Sequence, residues 1–275
     1  MEHASVICLW VAVLLYAAAF AVFVYHLFSR RAQVYRIGLV VAAVGLCLHT
    51  AALALRGLSA GHFPFFGAYE SLLLTTWSIS LVWHVLEAFT RIKAIGLYVM
   101  AVVLVLLGVA WSDYDAPLAL VPALRSDIVV LHVVVMLTAI AALYVAGGAA
   151  IIYLIEQALL KRRKLNGVLG RLPSLASLEK LIYHATLFGL PFLTMGMVAG
   201  IIRAVTFKVA AWWADPMVLL AVGAWALYAW LLWGRTRGDW PGRRVAWLSI
   251  SGLVLMLVIR FAAVPYLSGF HTYGG

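Results

Sequence analysis

Long apolar stretches separated by short polar connections fill almost the whole chain. Each stretch is close to the ~20 residues that an α-helix needs to cross a hydrocarbon layer ~30 Å thick. Because backbone groups inside lipid must bond within their own segment, such stretches are expected to be helical. The pattern predicts an all-α polytopic membrane protein, a bundle of about eight transmembrane helices over residues 5–28, 37–56, 71–90, 94–111, 128–156, 181–203, 217–234 and 245–266.

The composition supports this interpretation and excludes an ordinary soluble domain. The 275 residues are 66% hydrophobic and only 11% charged, whereas roughly 25% charged residues is usual in soluble proteins. Little length remains between the predicted helices, so residues 1–275 are expected to form a single transmembrane domain.

The positive charges follow the predicted topology. Most of the 20 lysines and arginines lie in alternate connections: Arg30, Arg31 and Arg36; Arg91 and Lys93; 161–164, Arg171 and Lys180; and Arg235, Arg237, Arg243 and Arg244. Basic loops stay on the cytoplasmic side, which places both termini outside. The first stretch begins with Glu2 and lacks a basic leader, so it is expected to be a true span. The net charge of +10 is explained in this way, and no nucleic-acid partner is expected.

The two cysteines, Cys8 and Cys47, both lie within predicted spans. The chain contains no CxxC motif, which argues against thiol–disulfide exchange, and no CxxCH motif, which argues against a covalently attached c-type haem. Both are expected to be small packing residues.

Three histidines, His49, His132 and His271, lie in or beside predicted spans, the last two near the outer face. An ionisable residue inside a membrane is a candidate functional residue because imidazole is costly to place in hydrocarbon. Each has an ordinary interpretation, as a core histidine bonded to a carbonyl or as a solvated loop residue. Taken together they suggest axial ligation of haem iron, by two imidazoles or by one imidazole with another ligand.

The outer connections contain further candidates. Trp212 and Trp213 suit either an interfacial aromatic belt or the flat face of a porphyrin. Basic residues near the outer side suit either snorkelling or pairing with anionic haem propionates; they are Arg56, Arg125, Arg203, Lys208 and Arg260. Glu70 or Ser71 is expected to cap the third helix.

Several motifs, in the same order along the chain, resemble the cytochrome c biogenesis protein CcsA family, also called ResC. The resemblance covers roughly residues 37–275. Its motifs are CLHT (47–50) with Arg56, GHFP (61–64), YESL (69–72) with Trp77, LVPALRS (120–126) before His132, LPSL (172–175), GLPFLTMG (189–196), RRVAW (243–247) and LSGFHTY (267–273).

The resemblance implies haem handling at the outer face of a cell membrane or a thylakoid-type membrane. Members of this family, with a CcsB (ResB) partner, attach haem to apocytochrome c, so the chain is expected to be a component of a holocytochrome c synthase, or haem lyase. By matching positions, His132 and His271 correspond to the outer ligands of non-covalent haem b. His49 corresponds to the ligand of a lower site whose second ligand comes from the partner.

One segment departs from the family pattern. The family's tryptophan-rich WWD segment reads approximately WGxxWxWDPKE, and the matching residues 208–218 read KVAAWWADPMV. Trp212, Asp215 and Pro216 are kept and Trp213 partly replaces a lost ring, so Trp212, Trp213 and Asp215 remain candidate cofactor-binding residues. The leading Trp-Gly and the Lys-Glu pair are absent, which implies a reduced haem platform.

This departure motivates two alternatives to cytochrome c assembly. The chain could be a repurposed b-haem or structural subunit of a larger respiratory or photosynthetic membrane complex. It could also belong with the HemX-like regulators of tetrapyrrole synthesis in the same superfamily. A transporter is disfavoured because the sequence shows no paired broken helices with converging ion ligands.

Overall fold

The computed structural model describes residues 1–29, 31–90, 92, 95–115, 126–161 and 173–263. All regular structure in these ranges is helical. The helices are α1 (Glu2–Ser29), α2 (Ala32–Ala60), α3 (Gly67–Thr90), α4 (Gly96–Ser112), α5 (Asp127–Lys161), α6 (Leu175–Thr206), a short 3₁₀ turn (Trp212–Ala214), α7 (Pro216–Arg237) and α8 (Gly242–Val258), which continues as one π-helical turn (Ile259–Ala263).

The predicted all-α polytopic membrane fold is confirmed. Seven of these helices are long and apolar enough to cross a membrane, and α4 is a shorter apolar helix of 17 residues, at the lower limit for a span. The chain divides into two compact units, Met1–Arg125 with Leu159–Pro173, and Ser126–Ala158 with Ser174–Gly275. The sequence-based expectation of a single domain stays a prediction.

In the first unit, α1 and α2 pack along matching seams with a seven-residue repeat. The buried positions of α1 are Ser5, Leu9, Ala12, Tyr16, Ala19 and Phe23, and those of α2 include Tyr35, Gly38, Ala42, Gly45, His49, Ala52 and Arg56. Alternating steps of three and four residues are the pattern of antiparallel helices that cross at a shallow angle. Large residues face small ones, since the ring of Phe23 lies against Gly38 and that of Tyr16 against Gly45.

Helix α3 is the most enclosed of the seven candidate spans, with 67% of its apolar window buried. Its interior positions include hydroxyl residues whose side chains bond back to the helix; Thr76, for example, donates to the carbonyls of Leu72 and Leu73. In this way the hydroxyls of Thr75 and Thr76 are satisfied without a partner helix.

In the second unit, glycines allow close approach of α5, α6, α7 and α8. Gly147 on α5 lies against Leu253 on α8, and Gly252 on α8 lies against the ring of Tyr228 on α7. Small residues at helix contacts are the usual basis of packing in membranes, because close backbone approach replaces the missing hydrophobic driving force.

Candidate functional site

His132 lies in the second turn of α5, in the second unit. Its Nδ1 is 2.7 Å from the carbonyl oxygen of Gly196 on α6, and its ring lies against Gly200, where a Cβ would be 2.8 Å from the imidazole Cε1. A carbonyl oxygen only accepts hydrogen bonds, so Nδ1 must carry a proton and donate. In the neutral ring this leaves the lone pair on Nε2.

This bonding pattern is the usual one for a histidine that binds a metal. Metal-ligating imidazoles generally donate their second nitrogen to a carbonyl, a carboxylate or a water, which fixes the tautomer and the ring orientation. His132 therefore has the proton distribution that an axial haem ligand requires.

His49 lies in the first unit and is fully buried on the seam between α1 and α2. Its Nδ1 is 3.4 Å from the hydroxyl oxygen of Tyr16, and the two rings meet edge to face. Its Nε2 is also buried and has no hydrogen-bond partner among the described residues. A hydroxyl can donate or accept, so this contact, unlike that of His132, is compatible with either tautomer; the tautomer with the proton on Nδ1 has its lone pair on Nε2, where a ligand could bind.

The tryptophan segment lies at the same end of the second unit as His132, because α5 begins and α6 ends there. The segment bends through two residues with left-handed backbone, Lys208 (φ 52°) and Ala211 (φ 50°). Trp212 and Trp213 stand almost perpendicular, with an interplanar angle of 83°, and Trp213 is 62% exposed. The two rings therefore do not form one flat surface.

Asp215 has a clear structural role in this segment. Its carboxylate accepts a hydrogen bond of 2.9 Å from the backbone N–H of Met217 and so caps the N-terminus of α7, with Pro216 in the first helical position. A cap of this kind stabilises a helix by about 1 kcal/mol. The side chain is buried, and its predicted contribution to cofactor binding stays a prediction.

His271, the second predicted outer ligand, lies outside the described residues, as does Arg125. The other four basic candidates are described, and Lys208 belongs to the tryptophan segment. Arg203 lies near the end of α6 with its guanidinium 5.2 Å from the ring centroid of Phe207, and Arg260 lies in the π-helical turn, 5.9 Å from that of Phe261. Both are near the helix ends that the positive-inside rule places outside.

Arg56 has a role that the sequence did not reveal. It is only 3% exposed, and its Nε donates to Glu70 Oε1 at 2.9 Å. One terminal nitrogen donates to the carbonyl of Asp115 at 2.7 Å, and the other lies 3.9 Å from Glu2. The guanidinium thus joins the outer ends of α1, α2 and α3 to the segment after α4.

Glu70 completes this cluster by accepting from the backbone N–H of Phe66 at 3.1 Å. Because α3 begins at Gly67, four residues earlier than predicted, Glu70 lies within the first turn and bonds back to the residue before the helix, and neither it nor Ser71 is the N-cap residue. Tyr114 donates to Glu2 at 2.9 Å, and burial together with this carboxylate raises the pKa of its hydroxyl. The sequence contained one indication of this ion pair: Arg56 and Glu70 lie at the predicted outer ends of two neighbouring spans. Charged residues in such positions are usually paired.

Within the described ranges, no group of three or more His, Cys, Asp or Glu side chains is placed to bind a bare metal ion. A haem supplies four ligands itself and needs only one or two axial imidazoles. His132 and His49 each have Nδ1 next to an oxygen atom. His62, His84 and His184 also have Nδ1 bonded to a carbonyl oxygen, so it is the family resemblance, and not this bonding pattern alone, that selects His132 and His49.

Comparison with known proteins gives a consistent family. The model of the cytochrome C assembly protein family matches residues 65–271. Relatives named cytochrome c biogenesis protein CcsA include that of Chlorella vulgaris, 30% identical over 86% of this chain and 85% of the relative. Another, from Prochlorococcus marinus (strain MIT 9303), is 30% identical over 86% and 83%. That of Gloeobacter violaceus is 27% identical over 100% and 95%.

Proposed function

The chain belongs to the cytochrome c assembly protein family, and on that premise we propose that it holds haem b at the outer membrane face and presents it to apocytochrome c. Its role in cytochrome c assembly follows from the family. The finer proposal is that His132 and His271 are the outer ligands and that a CcsB-like membrane protein completes the complex. The observation that carries it is the Nδ1 bond from His132 to the Gly196 carbonyl, which leaves Nε2 available.

In this proposal the residues of this chain hold the haem and set its orientation towards apocytochrome c. His132 supplies a neutral Nε2 from a ring fixed by α6, and Trp212 and Trp213 offer apolar surface at the same end of the second unit. Arg203 and Arg260 supply positive charge at the outer helix ends, suited to anionic propionates. Bound haem supplies the vinyl groups to which the two cysteine thiols of apocytochrome c add. Holding reactants in a suitable geometry is a recognised source of rate enhancement.

His49 suits a second site in the first unit. Its buried Nε2, without a partner among the described residues, is the kind of unsatisfied group that a ligand would complete. We assign it one axial position, with the other ligand supplied by the CcsB-like partner, as the family resemblance implies.

A second candidate function is favoured by the tryptophan segment. Its two rings are perpendicular, and Ala214 stands where the family has a third ring. A chain with this reduced platform could instead be a b-haem or structural subunit of a larger membrane complex. Stable co-purification with respiratory or photosynthetic subunits would favour that candidate, and co-purification with a CcsB-like protein and apocytochrome c would favour assembly.

The test is a clean gene deletion followed by haem staining of c-type cytochromes. Loss of the stained bands is expected, with recovery on expression of the wild type and of His184→Ala, and no recovery with His132→Ala. His184 is a suitable control because it also lies in a span with Nδ1 bonded to a carbonyl, that of Lys180, but near the opposite end of α6. Intact c-type cytochromes in the deletion strain would refute the proposal.

A further inference from the structure

A glycine-lined groove on α6 receives the two α5 side chains next to the outer site. Gly196 and Gly200 are four residues apart, in the sequence GMVAG, and so lie on one face of α6. A Cβ at Gly196 would be 2.5 Å from the sulfur of Met136, and a Cβ at Gly200 would be 2.8 Å from Cε1 and 3.0 Å from Nδ1 of His132. His132 and Met136 are also four residues apart, on α5.

The GxxxG pattern usually indicates a close crossing of two membrane helices. Here the crossing does more than bring α5 to α6, because the ring of His132 occupies the space that a side chain at position 200 would fill. The same helix provides the carbonyl, Gly196 O, that accepts from Nδ1. The ring is therefore constrained in two ways, by a hydrogen bond at one nitrogen and by close contact with the backbone of α6.

We propose that the Gly196–Gly200 groove is a positioning device that fixes the orientation and tautomer of His132 and thereby the geometry of its bond to haem iron. This inference rests on the proposed function, in which His132 is a ligand. Gly200 acts through His132 and is a positioning residue. Contacts that hold a metal-binding histidine in place commonly tune the affinity and electronic properties of the metal site.

The two glycines differ in what a methyl group would displace. At position 196 it would meet the sulfur and Cγ of Met136, which can move because the methionine side chain is flexible, and it would lie 3.3 Å from the Met136 backbone nitrogen, a contact that a small helix shift relieves. At position 200 it would meet an imidazole ring whose nitrogen is already bonded to a carbonyl. Gly200→Ala should therefore move the ring, whereas Gly196→Ala should mainly repack Met136.

A matched control lies in the same unit. Gly223 is within α7, and a Cβ there would have nothing within 4 Å. Gly223→Ala reproduces the change in helix propensity without a new contact, and so separates a positioning effect from a general effect of alanine.

The experiment compares the wild type with Gly200→Ala, Gly196→Ala and Gly223→Ala, each purified with its bound haem. The readouts are haem per polypeptide, the visible and electron paramagnetic resonance spectra, and the midpoint potential. Gly200→Ala is expected to change the ligand-field spectrum and shift the potential, Gly196→Ala to have a smaller effect, and Gly223→Ala none. Identical spectra and potentials for Gly200→Ala and Gly223→Ala would overturn the proposal.

The variant His132→Gly distinguishes a failure of haem ligation by His132 from a failure of the positioning role of Gly200. If His132 is a ligand, this variant loses or alters the outer-site spectrum, and added imidazole restores it by occupying the space left by the ring. An unchanged spectrum in His132→Gly would refute ligation itself, while a changed one combined with a wild-type-like Gly200→Ala would refute only the positioning role.

The double variant His132→Gly/Gly200→Ala covers the case in which Gly200→Ala does not fold. Without the ring, the methyl group at position 200 has room, so the double variant is expected to accumulate as His132→Gly does. Its methyl group occupies part of the imidazole site, and rescue should need at least several-fold more imidazole than in His132→Gly. Equal imidazole requirements in the two variants would overturn the proposal.

Discussion

Among single residues, His49 and His132 have similar contacts at one ring nitrogen although their surroundings differ. In each ring Nδ1 has an oxygen neighbour, Tyr16 in one case and the carbonyl of Gly196 in the other. In each case the contact at Nδ1 orients the ring and leaves Nε2 on its other side. The sequence predicted the histidines as candidates, but neither oxygen neighbour could be predicted, because each depends on how two helices rotate about their axes.

Tyr16→Phe tests the contact at His49. Removing the hydroxyl leaves Nδ1 of a fully buried ring without its hydrogen-bond partner, which typically costs about 1–3 kcal/mol. We expect a lower midpoint of thermal unfolding in detergent, measured by circular dichroism, and a changed spectrum of any haem at that site. Tyr25→Phe is the control, since Tyr25 is on the same helix and 58% exposed. Equal unfolding midpoints and spectra for the two variants would contradict the assignment.

Arg56→Met tests the buried cluster at the outer end of the first unit. Arg56 and Glu70 are only 3% and 2% exposed, so removing the guanidinium leaves a buried carboxylate without its main partner. Breaking such a pair from one side usually costs about 3–5 kcal/mol. The expected result is a large loss of unfolding stability in detergent. Arg36→Met, on the exposed face of the same helix, should be near neutral, and similar stabilities for the two variants would argue against the cluster.

At the scale of helices, the predicted spans agree with the observed ones to within a few residues at most ends. The agreement is physical in origin, because the length of an apolar run is set by the bilayer. The buried face of each helix was not predicted, since almost every position of these spans is apolar. The faces are marked instead by small residues, such as Gly38, Ala42 and Gly45 on α2.

The π-helical turn Ile259–Ala263 also lay beyond prediction. It follows α8 directly and carries Arg260 and Phe261. Its hydrogen-bond pattern inserts an extra residue in a turn, which hydrophobic periodicity does not reveal. Such turns are frequent at functional sites.

Gly252→Ala tests the contact between α7 and α8. A Cβ at position 252 would overlap the ring and hydroxyl of Tyr228. Tyr228 is fully buried, and its hydroxyl donates to the carbonyl oxygen of Ser249 at 3.4 Å. Overpacking of this kind typically costs about 1–3 kcal/mol, so a lower unfolding midpoint is expected. Gly108→Ala on α4, with nothing within 4 Å of the new Cβ, is the control. A midpoint equal to that of the control would mean that α7 and α8 are not in this contact.

At the scale of the whole molecule, charge distribution determines the expected orientation. Basic connections alternate with outer ones along the chain, and the positive-inside rule places Ser112 outside and Arg237 inside. The proposed function depends on this orientation, because in that proposal His132 and the tryptophan segment would meet apocytochrome c at the outer face.

Cysteine labelling tests the orientation. In a background with Cys8 and Cys47 replaced by Ala, Ser112→Cys and Arg237→Cys each introduce one thiol at an exposed position. A membrane-impermeant maleimide added to right-side-out vesicles should label position 112 directly and position 237 only after the membrane is opened. The reverse result would place the proposed site on the wrong side of the membrane.

Haem binding through the outer histidines can be measured with a pyridine haemochrome assay and visible spectra of the purified protein. We expect b-type haem in the wild type and in His184→Ala, with loss of outer-site haem in His132→Ala and in His271→Ala. A well-folded wild type that takes up no haem when supplied with it, or unchanged haem content in both outer variants, would refute haem ligation by these residues.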